Sequence, residues 1–116
     1  MRIVVRDLIG FDDAITAEDG QKVYDLIYPE LSAGKPVQLD FAGIEAFASP
    51  FFNAAIGQLL RDLEPDDLNR LLKVENIRPV GDQTIRLVIK NAYRYFRDPG
   101  YRKALDEVLE TMSEGA

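Results

Sequence analysis

The chain has 116 residues, 47% of them hydrophobic, which suits a single ordinary core over 1–116 and leaves no room for a second domain. It contains no cysteine and no histidine, which excludes disulfides, thiolate nucleophiles, imidazole bases and the two side chains that most often bind transition metals. Twenty acidic residues against fourteen basic ones give a net charge of -6, a sign that repels phosphate backbones and points to protein or small-molecule partners rather than nucleic acid or anionic membrane.

The opening "MRIVVRDLIG" is too short and too charged for a secretory signal, and no apolar run approaches the roughly 18 residues of a membrane span, so a cytoplasmic protein is expected. Alternation and β-branched residues predict a strand over 2–7 that ends near Gly10, followed by a connection at 11–15. Thr16 and Asp19 resemble a capping box with the shorter acid. Val23, Ile27 and Leu31 then recur at one-turn spacing up to Gly34, an amphipathic helix that Pro29 should kink or loosen by removing a donor and crowding the previous turn. "PVQLDF" at 36–41, bounded by Gly34 and Gly43, reads as a central strand with Pro36 at its first position. Strand, helix and strand make a right-handed βαβ unit whose strands are parallel.

A second helix follows Ser49, with Phe52, Ala55, Ile56, Leu59 and Leu63 as its apolar stripe, and ends by Pro65. "DDLNRLL" at 66–72 suits one or two helical turns and 71–77 a third strand, with Leu72, Val74 and Asn76 in alternation. Asp82 or Thr84 should start a longer helix that turns Ile85, Val88, Ile89, Ala92 and Phe96 to the core and breaks at "RDPG", 97–100. Tyr101, Ala104, Leu105, Val108 and Met112 mark a last helix, and "SEGA" at 113–116 should fray. The expected architecture is α/β, a parallel or mixed sheet of three to four strands packed by amphipathic helices with extra helices at the C-terminal end.

Chemistry-bearing constellations are few. Asp40 ends the central strand, where open parallel sheets bind ligands, yet it has no nucleophile–base pairing, metal partner or glycine-rich phosphate loop beside it. The paired acids Asp12–Asp13 and Asp66–Asp67 lack the alternating oxygen ligands of a calcium loop and read as solvated turns. Lys90, Arg94, Arg97, Arg102 and Lys103 are interleaved with Asp98, Asp106 and Glu107, the pattern of a salt-laced helix surface. Tyr93, Tyr95 and Phe96 cannot share one narrow helix face, so at least one ring should stay near the surface, where aromatics serve contacts. No catalytic residue, metal or cofactor is assigned, and the chain is expected to be non-enzymatic.

Ser49 precedes Pro50 and an apolar-periodic segment, which suits an N-cap serine whose hydroxyl accepts an orphan amide ahead of a proline that has none to lose. The surrounding "VQLDFAGIEAFASPFFNAAIGQLL" also resembles the central segment of the STAS-like domains, a bacterial family related to the STAS domains of anti-sigma-factor antagonists. In STAS proteins a serine opening a helix follows the strand-ending aspartate by nine residues, the spacing from Asp40 to Ser49 here. The Asp-Phe, Gly, Ser-x-Phe, Asn and Gly elements of the STAS-like branch correspond to Asp40, Phe41, Gly43, Ser49, Phe51, Asn53 and Gly57, and "ITAEDGQKVYDLI" resembles the start of its first helix. Ala48 and Pro50 depart from the acid before, and the glycine after, the serine of the antagonists. The resemblance covers about the first 75 residues. It implies a regulatory protein-interaction module, a signalling domain switched by phosphorylation of Ser49, with an ATP-binding serine kinase of histidine-kinase-like fold as partner. Asp40, Gly43, Glu45 and Asn53 are then candidates for partner or ligand contact. The alternative is a small-ligand sensor or defence-associated accessory domain that uses no phosphorylation and carries a closed apolar pocket near Asp40 and Asn53.

Overall fold

The structure is a computed structural model that describes the backbone of residues 1–114 and the side chains of residues 1–108. In chain order its elements are β1 (Arg2–Val4), α1 (Val5–Ile9), β2 (Asp13–Ala14), α2 (Ala17–Ser32), β3 (Val37–Asp40), β4 (Ala46–Phe47), α3 (Ser49–Ala55), a 3-10 helix (Gly57–Arg61), α4 (Pro65–Leu71), β5 (Leu72–Glu75), α5 (Pro79–Arg97) and α6 (Pro99–Glu114). β1, β3 and β5 form one parallel sheet in that order, with Ile3 opposite Leu39 and Leu39 opposite Val74. A second, two-residue parallel ladder pairs β2 with β4, Asp13 opposite Ala46 and Ala14 opposite Phe47. The fold is therefore the expected small α/β domain with a parallel sheet of three strands and helices continuing to the C-terminal end.

β3 is the middle strand, and Val37, Leu39 and Asp40 are buried, as a strand flanked on both edges requires. α2 is capped as its sequence promises: Thr16 Oγ1 accepts the Asp19 amide at 3.1 Å. Val23, Ile27 and Leu31 form its buried stripe. α2 also packs closely on α3, because Gly20 brings the α2 backbone against the Phe51 carbonyl oxygen. Phe41, Phe47, Phe51 and Phe52 fill the space below, with ring centroids of successive pairs 5.3–6.2 Å apart.

Several elements differ from the sequence-based expectation. The strand expected over 2–7 stops at Val4, and α1 takes over, burying Val5 and Ile9 at i, i+4 and closing at Gly10, whose φ of 79° lets its amide reach the Arg6 carbonyl at 2.9 Å. The connection expected at 11–15 contains β2. α2 runs through Pro29 to Ser32 and its last turn is loosened as expected, the Ala33 amide shared between the Pro29 and Glu30 carbonyls at 3.2 Å; Pro29 is exposed, as is Asp25, whose carbonyl loses its usual partner. The helix after Ser49 leaves α geometry at Ile56 and tightens into the 3-10 segment, so that Ile56, Leu59 and Leu60 are all buried while Leu63 is only half so.

α5 begins at Pro79, ahead of both expected starts, because proline at the first position already holds the helical φ. Thr84 bonds inside the helix instead, its hydroxyl donating to the Val80 carbonyl at 2.8 Å. Ile85 and Val88 are buried and Ile89, Ala92 and Phe96 half-buried, as the spacing predicts. Of the aromatic triplet, Tyr93 stays exposed. α6 packs on α5 through rings and guanidinium groups. Arg94 stacks on Tyr101 at 4.3 Å and Arg102 on Tyr95 at 5.2 Å, while the Tyr95 hydroxyl donates to Asp106 at 2.9 Å. Tyr101 and Leu105 are half-buried, whereas Ala104 and Val108, expected on the apolar face, are exposed; the Met112 side chain lies outside the described residues, and of the stretch expected to fray Ser113 and Glu114 still belong to α6 while 115–116 lie outside the described residues.

Truncation of the central ring tests the packing. Phe52→Ala should lower stability by about 3–5 kcal/mol in chemical denaturation, with a loss below about 1 kcal/mol showing that the core is placed wrongly. Gly20→Ala should cost about 1–3 kcal/mol, since the added methyl meets backbone rather than a side chain that can move.

Candidate functional site

The segment from Asp40 to Ser49 leaves the C-terminal end of the sheet and returns at the start of α3. Asp40 is 5% exposed and fully engaged. Its Oδ1 accepts the Ala42 amide at 2.9 Å and the Asn76 side-chain amide at 3.0 Å, and its Oδ2 pairs with the Arg2 guanidinium. Arg2 starts β1 and Asn76 follows β5, so one carboxylate joins all three strands of the sheet. The Asn76 bond, the Ala42 bond and Arg2 hold the Asp40 carboxyl below its ordinary 3.8, against the opposing effect of burial. Asn76 adopts φ 56°, a left-handed conformation that asparagine tolerates, and the bend directs its amide to Asp40. With both oxygens committed, Asp40 is a structural tie rather than a free base or ligand arm.

Phe41 to Ile44 form a tight turn, the Ile44 amide reaching the Phe41 carbonyl at 3.0 Å. Gly43 turns it at φ 82°, where a Cβ would lie 2.8 Å from Arg6 Nη1. The Glu45 amide then donates to the Asp12 carbonyl at 2.6 Å, and the exposed Glu45 carboxylate pairs with Arg78 at 3.2 Å. β4 follows, with Phe47 directed into the aromatic cluster.

Ser49 lies in the first turn of α3, exposed. It is not the cap: the N-cap position is Ala48, in extended conformation at φ -142° and ψ 150°, and no side chain caps the helix. Helical geometry starts one residue earlier than the Ser-Pro pair suggests, because Pro50 is accommodated at the second position as well as the first. The Ser49 hydroxyl is thus free of the bond that would occupy it.

Asn53 stands apart from the other candidates. It is exposed and lines a groove of about 440 Å³ between α3, the 3-10 helix, α5 and α6, together with Gln58, Asn91, Tyr95, Phe96 and Tyr101. A second groove of about 450 Å³ is lined by Glu45, Ala46, Phe47, Arg78, Pro79 and Val80. Asp40 lines neither of these two grooves, so of the pair expected beside one pocket only Asn53 borders one of them. Among the described residues no group of three or more acids is placed to hold a metal ion.

A family model described as STAS-like domain of unknown function (DUF4325) matches residues 19–82. The chain belongs to this STAS-like family. No curated protein and no solved structure gives a significant match. The STAS-like match runs from the first turn of α2 to the first turn of α5 and so contains Asp40, Gly43, Glu45, Ser49, Asn53, Asn76 and Arg78. Arg2 and most of α5 and α6 lie outside it. Arg2, Asn76 and Arg78 were not among the residues singled out from sequence. The alternation of β1 does place Arg2 on the face of Val4, which stands opposite Asp40, but Asn76 passes as the third position of a strand. No helix among the described residues is long and apolar enough to cross a membrane.

The Asp40 tie carries a pH signature. A carboxyl whose native pKa is depressed contributes stability that is complete above the unfolded value near 3.8 and is lost as pH falls through the lower native value. Asp40→Asn should therefore be less stable at neutral pH and lose less on acidification, seen as a shallower fall of the denaturation midpoint as pH drops from neutral to below 3.8. Ser49→Ala, which removes no cap bond, should change stability by less than about 0.5 kcal/mol.

Proposed function

We propose that this STAS-like domain is a non-enzymatic regulatory module that docks on a protein partner and is switched by phosphorylation of Ser49. The observation that carries the reading is the state of Ser49: exposed, free of a capping role, and held at a defined place by the buried Phe51 and Phe52 that follow it. A hydroxyl that stabilises nothing can be modified without unfolding the domain. The expected partner is an ATP-binding serine kinase of histidine-kinase-like fold, acting in the cytoplasm. In the transfer the Ser49 hydroxyl oxygen bonds to the γ-phosphorus of ATP and loses its proton, and ADP leaves. The phosphate brings about 1.5 to 2 negative charges to a surface that a partner can contact. Asp40, by contrast, supports the interaction only through the fold, since its oxygens are occupied.

A small-ligand sensor is the second reading, favoured by the groove that Asn53 lines with the α5 and α6 aromatics. It predicts protection of α6 in hydrogen exchange when a ligand is added, with no dependence on Ser49.

Affinity capture with the native chain and with Ser49→Asp, read by mass spectrometry, tests the switch. Ser49→Asp should fold like the parent and lose or gain at least one captured protein, and an identical set at unchanged affinity defeats the proposal. Neither form should bind DNA or RNA at physiological salt. Tight binding that weakens steeply with added salt would contradict the charge argument.

A further inference from the structure

We infer that the groove between α3, the 3-10 helix, α5 and α6 binds a small uncharged aromatic molecule with an amide or lactam edge, the chemistry that nicotinamide and a free purine base such as hypoxanthine share. The inference rests on the ligand-sensor reading above, which it deepens, and is independent of phosphorylation at Ser49.

The lining differs from the rest of the surface. The chain carries twenty acidic and fourteen basic residues in 116, yet no residue that lines this groove is charged. Its polar side-chain amides come from three elements, Asn53 from α3, Gln58 from the 3-10 helix and Asn91 from α5. Tyr95, Phe96 and Tyr101 supply rings to the same walls. A phosphate or carboxylate that entered would give up water without meeting a cation in the lining, and a cation would meet no carboxylate, so an uncharged ligand is favoured. The volume of about 440 Å³ suits a small molecule.

The amides select the edge of that ligand. Gln58 donates to the Gln21 side-chain oxygen at 2.7 Å and to the Ala54 carbonyl at 2.8 Å, which spends both of its hydrogens and fixes its own oxygen as an acceptor. Asn53 and Asn91 are exposed and make no side-chain hydrogen bond to a described residue, so each keeps a donor and an acceptor side by side. An amide or lactam edge presents the complementary pair and can take two parallel bonds from one carboxamide, as adenine does from asparagine or glutamine. Its flat ring then has aromatic walls to stack on. A sugar offers hydroxyls without that fixed pairing and has no aromatic face.

The rings are held by groups outside the groove. Arg94 lies on Tyr101 at 4.3 Å, Arg102 on Tyr95 at 5.2 Å, and Tyr95 meets Phe96 edge-on at 80°. One side of the groove is tightly packed, since a Cβ on Gly57 would lie 3.5 Å from Val88 and 3.6 Å from Ala92. The α6 side is loose: none of residues 101–108 is fully buried, although Tyr101 lines the groove. A flat ligand inserted there gives α6 the apolar surface that the core does not supply, and binding therefore clamps α6.

The test is a titration of the full chain with nicotinamide and with hypoxanthine, followed by amide chemical shifts in two-dimensional NMR, with nicotinate and glucose as contrasting probes. Nicotinamide and hypoxanthine should each move signals of α3, the 3-10 helix, α5 and α6 to saturation, the side-chain amides of Asn53 and Asn91 among them. Nicotinate, which differs from nicotinamide in carrying a carboxylate, should bind about tenfold more weakly or worse, and Asn53→Ala or Asn91→Ala should weaken nicotinamide by about the same factor, the loss of a paired contact. Both positions are exposed, and the same spectra show whether each variant is folded. Equal binding of nicotinamide and nicotinate, or unchanged binding by both variants, overturns the assigned ligand class. Saturation by glucose alone overturns it too, while the ligand-sensor reading survives. The absence of a saturable shift with every probe defeats the inference and leaves that reading to its own hydrogen-exchange experiment.

Discussion

The sheet depends on one buried carboxylate. Its strands are only three or four residues long, too short for backbone bonding alone to hold three of them in register. Asp40 adds a contact to each flanking strand at the end where the chain leaves the sheet, with Arg2 on one side and Asn76 on the other. A carboxylate taken out of water is tolerated only if its oxygens are occupied, and the Ala42 amide completes the set. Removal of any partner leaves a charge short of bonds, so the four groups stand or fall together. The same demand explains the bend at Asn76, which no backbone hydrogen bond requires.

That tie determines where the Ser49 segment can go. The chain turns at Gly43, passes Glu45 and enters β4 with Phe47 as its anchor, since Phe47 stacks on Phe52 at 12° between planes and tilts against Phe41. Ser49 therefore sits on a surface whose underside is aromatic and rigid while its own hydroxyl is uncommitted. A charge placed there meets a fixed framework beneath, while the exposed Glu45–Arg78 ion pair holds the turn that leads into β4.

Long periodic stretches were legible in the sequence. The Thr16 cap, the stripe of α2, the central strand and the core face of α5 all follow from spacing, because each signal repeats over several turns or is bounded by glycine. The misread elements are those where a local signal was short or could be satisfied in two ways. Val4 and Val5 belong to one β-branched run, yet only the first is in a strand, because Ile9 offers Val5 a helical partner. Ser49–Pro50 fits two alignments of a helix start, and the structure adopts the one that leaves the serine outside the cap. The β2–β4 ladder is too short to impose a period. The Asp40 tie joins residues 36 to 38 positions apart, a relation to which composition and spacing are blind.

The two C-terminal helices offer a ring and a guanidinium each, Arg94 to Tyr101 and Arg102 to Tyr95. Such crossed stacking gives neither helix a partner of its own kind, so loss of one guanidinium strands a ring on the opposite helix. Selection acting on this hairpin meets pairs rather than single positions. Among relatives that retain it, the identities at 94 and 101, and at 95 and 102, are then bound to change in concert, while the exposed positions between them drift freely.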